Sequence, residues 1–299
     1  MKPLLIILTA VFLVLLLLAL FFLRSEYERR HPKISFYTVR SDRIPESFSG
    51  KKIAFLCDLH GRTPGKAAVR MEALLQKSGA DIVLIGGDML TVHRNVPYDD
   101  APLKRLLHAV PDGAKIYFSD GNHETRMQKN TEIYPGWAER YDRTLKEGGA
   151  LRLKNERLVL EGSGGIFLSA ADLPEQTYRT KFRKKALLPG YFTELLGKKP
   201  EGFEILLLHS PLYMREAWAY GADLVLSGHF HGGTIRLFGT GVMTPQFQFF
   251  NPWCRGFYRD KEKAGIVSGG LGTHSVNIRF NNRPEIVMIT LEKDRTKTR

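Results

Sequence analysis

Residues 53–60 read Ile-Ala-Phe-Leu-Cys-Asp-Leu-His, an apolar run that ends directly on an aspartate and a histidine. A short, continuous apolar run of this kind predicts a fully buried β-strand. The arrangement returns at residues 81–88, Asp-Ile-Val-Leu-Ile-Gly-Gly-Asp, where two glycines and a carboxylate follow a second apolar run. Because ligand sites of open α/β sheets form at the carboxyl ends of strands, these polar residues are candidates for a common site.

Strand and helix patterns alternate outward from this stretch. Further strands are predicted at residues 33–40, 115–118, 166–168, 204–208, 223–226 and 285–291, and helices over 65–78, 99–110 and 211–220. Alternation at this spacing is typical of an α/β sheet with both faces covered. Beyond about Thr234, short strands with glycine-rich turns dominate. We expect one domain over 34–292 and a charged, frayed tail over 293–299.

The N-terminal segment predicts a membrane anchor. Leu4 to Leu23 is apolar throughout except for Thr9, and a helix of that length spans about 30 Å of hydrocarbon. The run is longer than the apolar stretch of roughly 7–15 residues in a signal peptide, and no small-residue cleavage site follows it. Residues 1–30 are therefore interpreted as an uncleaved transmembrane anchor with its juxtamembrane segment. Basic residues cluster after the span, which favours a cytoplasmic domain.

Composition narrows the choice of partner without fixing it. The formal net charge is +13 and the pI is about 9.7, which favours an anionic partner such as a phosphorylated substrate, nucleic acid or acidic lipid. The two cysteines, Cys57 and Cys254, exclude a disulfide framework. A basic cluster contains Arg179, Lys181, Arg183, Lys184 and Lys185. Such a run is a solvated face or, beside a membrane, a contact with anionic lipid.

Five short polar segments follow predicted strands. They are Asp58-Leu59-His60, Gly86-Gly87-Asp88, Gly121-Asn122-His123-Glu124, His209-Ser210-Pro211 and Gly228-His229-Phe230-His231-Gly232. Imidazole nitrogens combined with carboxylate and amide oxygens suit Mn, Fe or Zn better than Ca or Mg, and the lack of thiolates argues against a structural zinc. Asp58 and His60 are separated by one residue, as are His229 and His231. In each pair an extended backbone would direct both side chains to one centre.

In this order the segments resemble the calcineurin-like metallophosphoesterase superfamily, whose pattern is D-x-H, GD, GNH[DE], H and GHxH. The resemblance covers residues 50–292 and implies an α/β fold, a four-layer sandwich of two mixed β-sheets flanked by helices. It also implies two divalent ions, with Mn²⁺ expected and Fe or Zn as alternatives. Residues 269–272, 278–280 and 283–286 look like the bacterial membrane-associated phosphodiesterase branch, some members of which act on UDP-2,3-diacylglucosamine. The sequence has Cys57 where serine is commoner and Glu124 where aspartate is as common. Neither departure removes a residue of the ligand set.

The resemblance implies a role for each residue. Asp58, His60 and His231 would bind one ion, Asn122, His209 and His229 the other, and Asp88 would bridge the two. His123 would lie beside the substrate phosphate, outside the coordination shell, and donate a proton to the leaving group. Glu124 would either orient His123 or be a helix-start carboxylate with no catalytic role.

The function that follows is hydrolysis of a phosphoester by a water whose pKa two metal ions lower. One alternative is a lipid-precursor pyrophosphatase of the UDP-2,3-diacylglucosamine type. Others are a nuclease of the same superfamily, which the anchor and the lack of interleaved aromatic and basic residues disfavour, and a non-catalytic metal-stabilised scaffold. The aromatic residues of segment 233–256 are expected to pack in the core, or to line an acyl or sugar-nucleotide pocket. They are Phe238, Phe247, Phe249, Phe250 and Trp253.

Overall fold

The first of two six-stranded sheets contains the stretch that opens the sequence analysis. The computed structural model describes residues 2–61, 65–160, 162, 164–179, 181–273 and 276–296. The apolar part of that stretch lies in the second strand of the chain, where it is buried. The strands of this sheet lie in the order Lys33–Ser41 (β1), Glu285–Lys293 (β14), Lys52–Leu56 (β2), Ile82–Ile85 (β3), Lys115–Ser119 (β4) and Ala150–Leu153 (β5). β14 pairs antiparallel with β2, and all other neighbours are parallel.

The second six-stranded sheet is also mixed. Its order is Gly256–Asp260 (β12), Lys263–Val267 (β13), Leu224–Ser227 (β9), Phe203–Leu207 (β8), Ile166–Ala170 (β7) and Glu156–Val159 (β6). The two edge strands, β12 and β6, are antiparallel to their neighbours, and the four inner strands are parallel. A small hairpin is formed by Arg236–Leu237 (β10) and Thr240–Gly241 (β11).

Most of the helices cover the outer faces of the sheets, whereas the first is largely exposed. The helices are Lys2–Arg30 (α1), Gly65–Gln76 (α2), Ala101–His108 (α3), Asn122–Lys129 (α4), Trp137–Glu147 (α5), Glu175–Arg179 (α6), Tyr191–Leu196 (α7) and Met214–Tyr220 (α8). One buried cluster joins the inner faces of the sheets, as Ile53 and Ile205 illustrate. A second packs the first sheet against α2, α3 and α5, and a third packs the second sheet against α7 and α8.

These three apolar clusters confirm the predicted α/β four-layer sandwich of two mixed sheets. The predicted strands are present with ends shifted by one or two residues. The helix predicted over 211–220 is a 3-10 turn at Pro211–Tyr213 followed by α8. Helices α4 to α7 and strands β5 and β6 are not among the predicted elements.

The N-terminal helix continues beyond its apolar stretch. Helix α1 is long and apolar enough to cross a membrane, and the apolar side chains between Leu4 and Leu23 are mostly exposed. Its last turns lie on the domain, where Ser25 and Glu28 are buried. The Phe21 ring stacks on Phe280 with centroids 5.0 Å apart. Helix α1 and the domain are therefore in direct contact.

Candidate metal centre

The polar segments after five strands meet where the carboxyl ends of the two sheets face each other. The first sheet supplies Asp58 and His60 after β2, Asp88 after β3, and Asn122 after β4; the second supplies His209 after β8, and His229 and His231 after β9. These side chains and His123 are all buried, with 0% to 7% of each residue exposed. Buried charges and imidazoles in such number need compensating partners.

Three residues form a first cluster. Asp58, His60 and His231 each offer a ligand atom, and these atoms lie within 4.8 Å of one another. The Nε2 atoms of His60 and His231 are 3.1 Å apart, and Asp58 Oδ1 lies 3.6 Å from His231 Nε2. Such distances are those of atoms that share one cation, since nitrogen ligands lie about 2.1 Å from a transition metal.

A second cluster lies next to the first and is joined to it by Asp88. Asp88, His209 and His229 again have ligand atoms within 4.8 Å of one another, as do Asp88, His60 and His123. Asp88 Oδ2 is 3.1 Å from His209 Nε2 and 3.8 Å from His60 Nε2. Its carboxylate therefore lies between the clusters. Asn122 Oδ1 is buried and, among the described residues, has no hydrogen-bond partner.

The tautomers of two histidines suit metal binding. His209 Nδ1 lies 2.7 Å from the Gly86 carbonyl, and His231 Nδ1 lies 3.3 Å from the Gly272 carbonyl. A carbonyl only accepts, so each Nδ1 carries a proton, and in the neutral ring Nε2 presents its lone pair to the centre. The donors present therefore fit a pair of divalent ions.

The electrostatics of the site also call for positive charge. Burial raises the pKa of Asp58 to about 6, although His209 acts against this shift. Burial opposes the charge on His209, but Asp88 beside it raises its pKa to about 10. Burial likewise opposes the charge on Asp88, but neighbouring imidazoles, His209 first, hold its pKa well below its usual range. The negative charge of the two buried carboxylates thus favours a cation beside them.

The backbone at the centre is not the extended one that was assumed for the pairs Asp58 with His60 and His229 with His231. Asp58, His60, Asp88, His229 and His231 have φ between 48° and 66°, in the left-handed region that costs about 1–3 kcal/mol per residue. Asp58 and His60 still reach one cluster, but His229 and His231 point into different ones. Convergence of the second pair on one centre is therefore wrong, because the chain turns sharply after β9.

Two glycines allow the loops of the first sheet to touch. A Cβ at Gly87, whose φ is +89°, would lie 2.2 Å from the Gly121 nitrogen. A Cβ at Gly121 would lie 2.3 Å from Asp88 Oδ1. Gly87 and Gly121 thus allow the Asp88 and Asn122 loops to come together.

The Glu124 side chain holds together the junction between these two loops. Its carboxylate accepts hydrogen bonds from the backbone nitrogens of Asp88 at 2.8 Å, Met89 at 2.9 Å and Gly121 at 2.9 Å, and from the Tyr141 hydroxyl at 3.1 Å. Both oxygens are occupied in this way. Burial, followed by the charge of Asp88, raises its pKa to about 7.

His123 is oriented by the backbone. Val92 N donates to His123 Nδ1 at 2.8 Å, and the ring packs edge to face on His60 with centroids 4.8 Å apart. Since Nδ1 accepts a hydrogen bond, the neutral ring carries its proton on Nε2. In this structure Val92 orients His123, while Glu124 holds the backbone of the Asp88 loop.

Residues far along the chain, outside the five polar segments, also support the centre. Asn282 Nδ2 donates to the His231 carbonyl at 2.6 Å, and the Asn282 backbone nitrogen donates to Glu28 of α1 at 2.6 Å. The fully buried Arg279 donates to the carbonyls of Gly269 at 2.9 Å and Gly270 at 3.2 Å. A Cβ at Gly270 would lie 2.9 Å from that of Asp58. These contacts link the anchor helix to the first cluster.

The aromatic segment does not pack mainly in the core. Phe238, Phe247, Phe249 and Phe250 are exposed, whereas Trp253 packs against the third apolar cluster. Phe247 also lines a cavity of about 160 Å³ beside His231. Core packing is therefore wrong for these four phenylalanines, which follow irregular turns outside the sheets.

A dinuclear centre of this kind on a four-layer sandwich defines a metallophosphoesterase. The calcineurin-like phosphoesterase family matches residues 51–233, and the chain belongs to that family. It is similar to the metallophosphoesterase YkoQ of Bacillus subtilis, 27% identical over 241 residues that cover 78% of this chain and 81% of that one.

A further relative and a solved structure are also similar to this chain. A transmembrane protein with metallophosphoesterase domain from Danio rerio is 27% identical over 281 residues, which cover 88% of this chain and 58% of that one. Among solved structures, TT1561 of Thermus thermophilus aligns with a TM-score of 0.44 and 10% identity, over 75% of this chain and 91% of that one.

Proposed function

We propose that this chain hydrolyses phosphodiester or pyrophosphate bonds at a membrane surface. The proposal depends on one observation, the adjoining buried clusters of carboxylate and imidazole donors that Asp88 and His60 connect. Bound divalent ions would supply Lewis-acid stabilisation of the phosphate and an activated water. Mn²⁺ is the ion we expect, with Fe or Zn as alternatives.

The ligands divide between two ions. Asp58, His60 and His231 would hold one; Asn122, His209 and His229 would hold the other; and Asp88 would bridge them. Support comes from the cluster membership of the histidines and from Asp88 Oδ2, which lies between His60 and His209. Asn122 Oδ1, buried without a partner among the described residues, is the amide oxygen available to the second ion.

His123 is the proposed catalytic residue. With Nδ1 held by Val92 N, its Nε2–H is the group that can donate to an oxygen of the substrate phosphate or of the leaving group. Burial of the ring keeps water from competing for that donor. Glu124 is a positioning residue, because it fixes the loop that carries Asp88.

A lipid-linked substrate is the finer form of this proposal. The cavity beside His231 is lined largely by apolar groups such as Met243, Val276 and Ile278, which suits an acyl group attached to the phosphate. A nucleotide-linked lipid precursor is favoured by the position of this cavity and by the proposed anchor. It is also favoured by the C-terminal segments that resemble the membrane-associated phosphodiesterase branch. The formal charge of +13 suits any such anion.

We further propose that α1 anchors the domain to the cell membrane, with the domain on the cytoplasmic side. The apolar helix and the name of the Danio rerio relative support anchoring. The basic residues that follow the span, among them Arg24, Arg29 and Arg30, support the cytoplasmic side.

The test is a substrate panel on detergent-solubilised full-length chain with added Mn²⁺. We expect hydrolysis of bis-p-nitrophenyl phosphate in preference to p-nitrophenyl phosphate, and faster turnover of a nucleotide-linked lipid than of DNA. Preference for the monoester would overturn the diesterase assignment, and preference for DNA would favour the nuclease. Bound metal without hydrolysis of any substrate would favour a scaffold.

A further inference from the structure

Six large apolar side chains are exposed on short segments outside the two six-stranded sheets. They are Phe182, Leu237, Phe238, Phe247, Phe249 and Phe250, termed here the aromatic surface, and their exposure ranges from 40% to 105%. Isolated apolar side chains on a surface need no explanation, but a group of this size next to a site indicates an interaction surface.

Backbone hydrogen bonds connect the aromatic surface to the anchor helix. Phe250 N donates to Val242 O at 3.0 Å, Val242 N to Ile235 O at 2.8 Å, and Arg236 N to Phe280 O at 2.9 Å. The Phe280 ring stacks on Phe21 of α1. Phe21 belongs to the last apolar turns before Arg24, where a spanning helix leaves the hydrocarbon. The aromatic surface thus begins at the level of the membrane boundary.

The basic cluster predicted from the sequence lies on the same surface. Phe182 N donates to Gln246 O at 3.0 Å, and the Phe182 and Phe247 rings are 6.1 Å apart. Lys181 Nζ lies over the Phe247 ring, 5.1 Å from its centroid. Aromatic rings beside lysine and arginine suit the headgroup region of a bilayer that contains anionic lipid.

The cavity beside the metal centre reaches this surface. Its lining includes His231 of the first cluster and Phe247 of the aromatic surface, together with the exposed Val276. Arg29 of α1 donates to the Asn277 carbonyl at 3.1 Å, so the Val276 side of the cavity lies next to the anchor.

We infer that the aromatic surface docks into the interfacial layer of the bilayer that α1 spans, so that the cavity beside His231 opens toward lipid. Continuity with the spanning helix and the adjoining positive charge point to lipid rather than a protein partner. The docking itself is independent of the reaction. Its use, to present a bilayer-held phosphoester to the centre, rests on the proposed function.

Depth-dependent fluorescence quenching tests the docking directly. The full chain is labelled with bimane at Phe238→Cys or Phe249→Cys, which is selective because Cys57 and Cys254 are both buried. It is then reconstituted into phosphatidylcholine–phosphatidylglycerol vesicles that carry doxyl-labelled lipid. The control label is at Leu151→Cys, exposed on β5 at the opposite edge of the first sheet from β1. We expect quenching at positions 238 and 249 but not at 151.

Equal quenching at all three positions, or none at 238 and 249, would overturn the docking. Omission of phosphatidylglycerol should reduce quenching at 249 if the basic cluster contributes. A triple variant, Phe238→Ser with Phe249→Ser and Phe250→Ser, should lower turnover of a vesicle-embedded nitrophenyl phosphodiester about tenfold, through lost effective concentration. Its turnover of bis-p-nitrophenyl phosphate should match wild type. If the wild-type chain hydrolyses neither compound, the proposed function fails while quenching still decides the docking.

Discussion

The metal centre and the aromatic surface are neighbours along the chain, at His231 and Leu237, but they are built differently. The centre lies between two sheets, and its side chains are buried and hydrogen-bonded to neighbouring loops. The aromatic surface lies on short irregular segments held by a few backbone hydrogen bonds, with its rings in solvent. The difference shows that the rigid layers position the chemistry, while the segments outside them determine what the site faces. Substitutions in the centre should therefore abolish metal binding or turnover, and those outside it should change access or stability.

The largest effect is expected for Asp88→Ala. Asp88 Oδ2 lies between both clusters, so its loss should remove both metal ions and lower turnover by more than about 10³-fold. Metal analysis and hydrolysis of bis-p-nitrophenyl phosphate measure this. The exposed Asp112 provides a matched control, Asp112→Ala, which should retain both properties. An Asp88→Ala chain with full metal content would refute the bridging role.

His123→Ala separates chemistry from metal binding within the centre. Because His123 is proposed to donate from Nε2 while its Nδ1 is held by Val92 N, the variant should keep its metal and lose about 10²–10⁴-fold in turnover. Parallel metal analysis and kcat determination check both parts. Unimpaired turnover would eliminate the acid role, and loss of metal would make His123 a ligand.

Asn282→Asp tests the connection between the centre and the anchor. The substitution keeps an acceptor for Arg255 but removes the Nδ2 donor that holds the His231 carbonyl. Metal affinity should fall about tenfold, as for other residues that orient ligands. Titration of the metal-depleted chain with Mn²⁺ measures the change. Unchanged affinity would mean that His231 is positioned without Asn282.

Asp172→Asn probes a partly buried carboxyl that belongs to neither region. Burial, with the charge of Asp120, raises the pKa of Asp172 to about 7. Because the folded chain then binds more protons than the unfolded chain, stability should fall as pH rises from about 4 to 7. The variant should escape this loss, on the order of 2 kcal/mol or a few degrees in Tm by pH 8. Thermal unfolding between pH 5 and 8, with Asp112→Asn as control, would refute this if the Tm difference were independent of pH.

The strands and the types of candidate ligand residue are easier to predict from the sequence than the loops and helices that connect the strands. Buried runs such as residues 53–57 and 81–85 identify strands because their apolar character is continuous. Helix α4 has a single buried apolar side chain, Met127, so no helical period marks it, although it begins at Asn122. His229 and His231 belong to different clusters, and their spacing in the sequence does not reveal this.

The supporting residues were harder to predict because their partners are distant in sequence. Asn282 contacts His231 across 51 positions and Glu28 across 254, so no local pattern marks it. The composition of the aromatic segment predicts either core packing or the lining of a pocket. The exposure of this segment depends on turns outside the sheets, where apolar composition carries no information on direction.

The most direct test of the two-ion centre is metal stoichiometry in three chains: wild type, His231→Ala and His209→Ala. The ligand assignment predicts two Mn²⁺ ions per wild-type chain and one in each variant, because His231 belongs to the first cluster and His209 to the second. Plasma mass spectrometry of Mn²⁺-loaded, dialysed protein provides the count. A single ion in the wild-type chain, or two ions retained in either variant, would contradict the assignment.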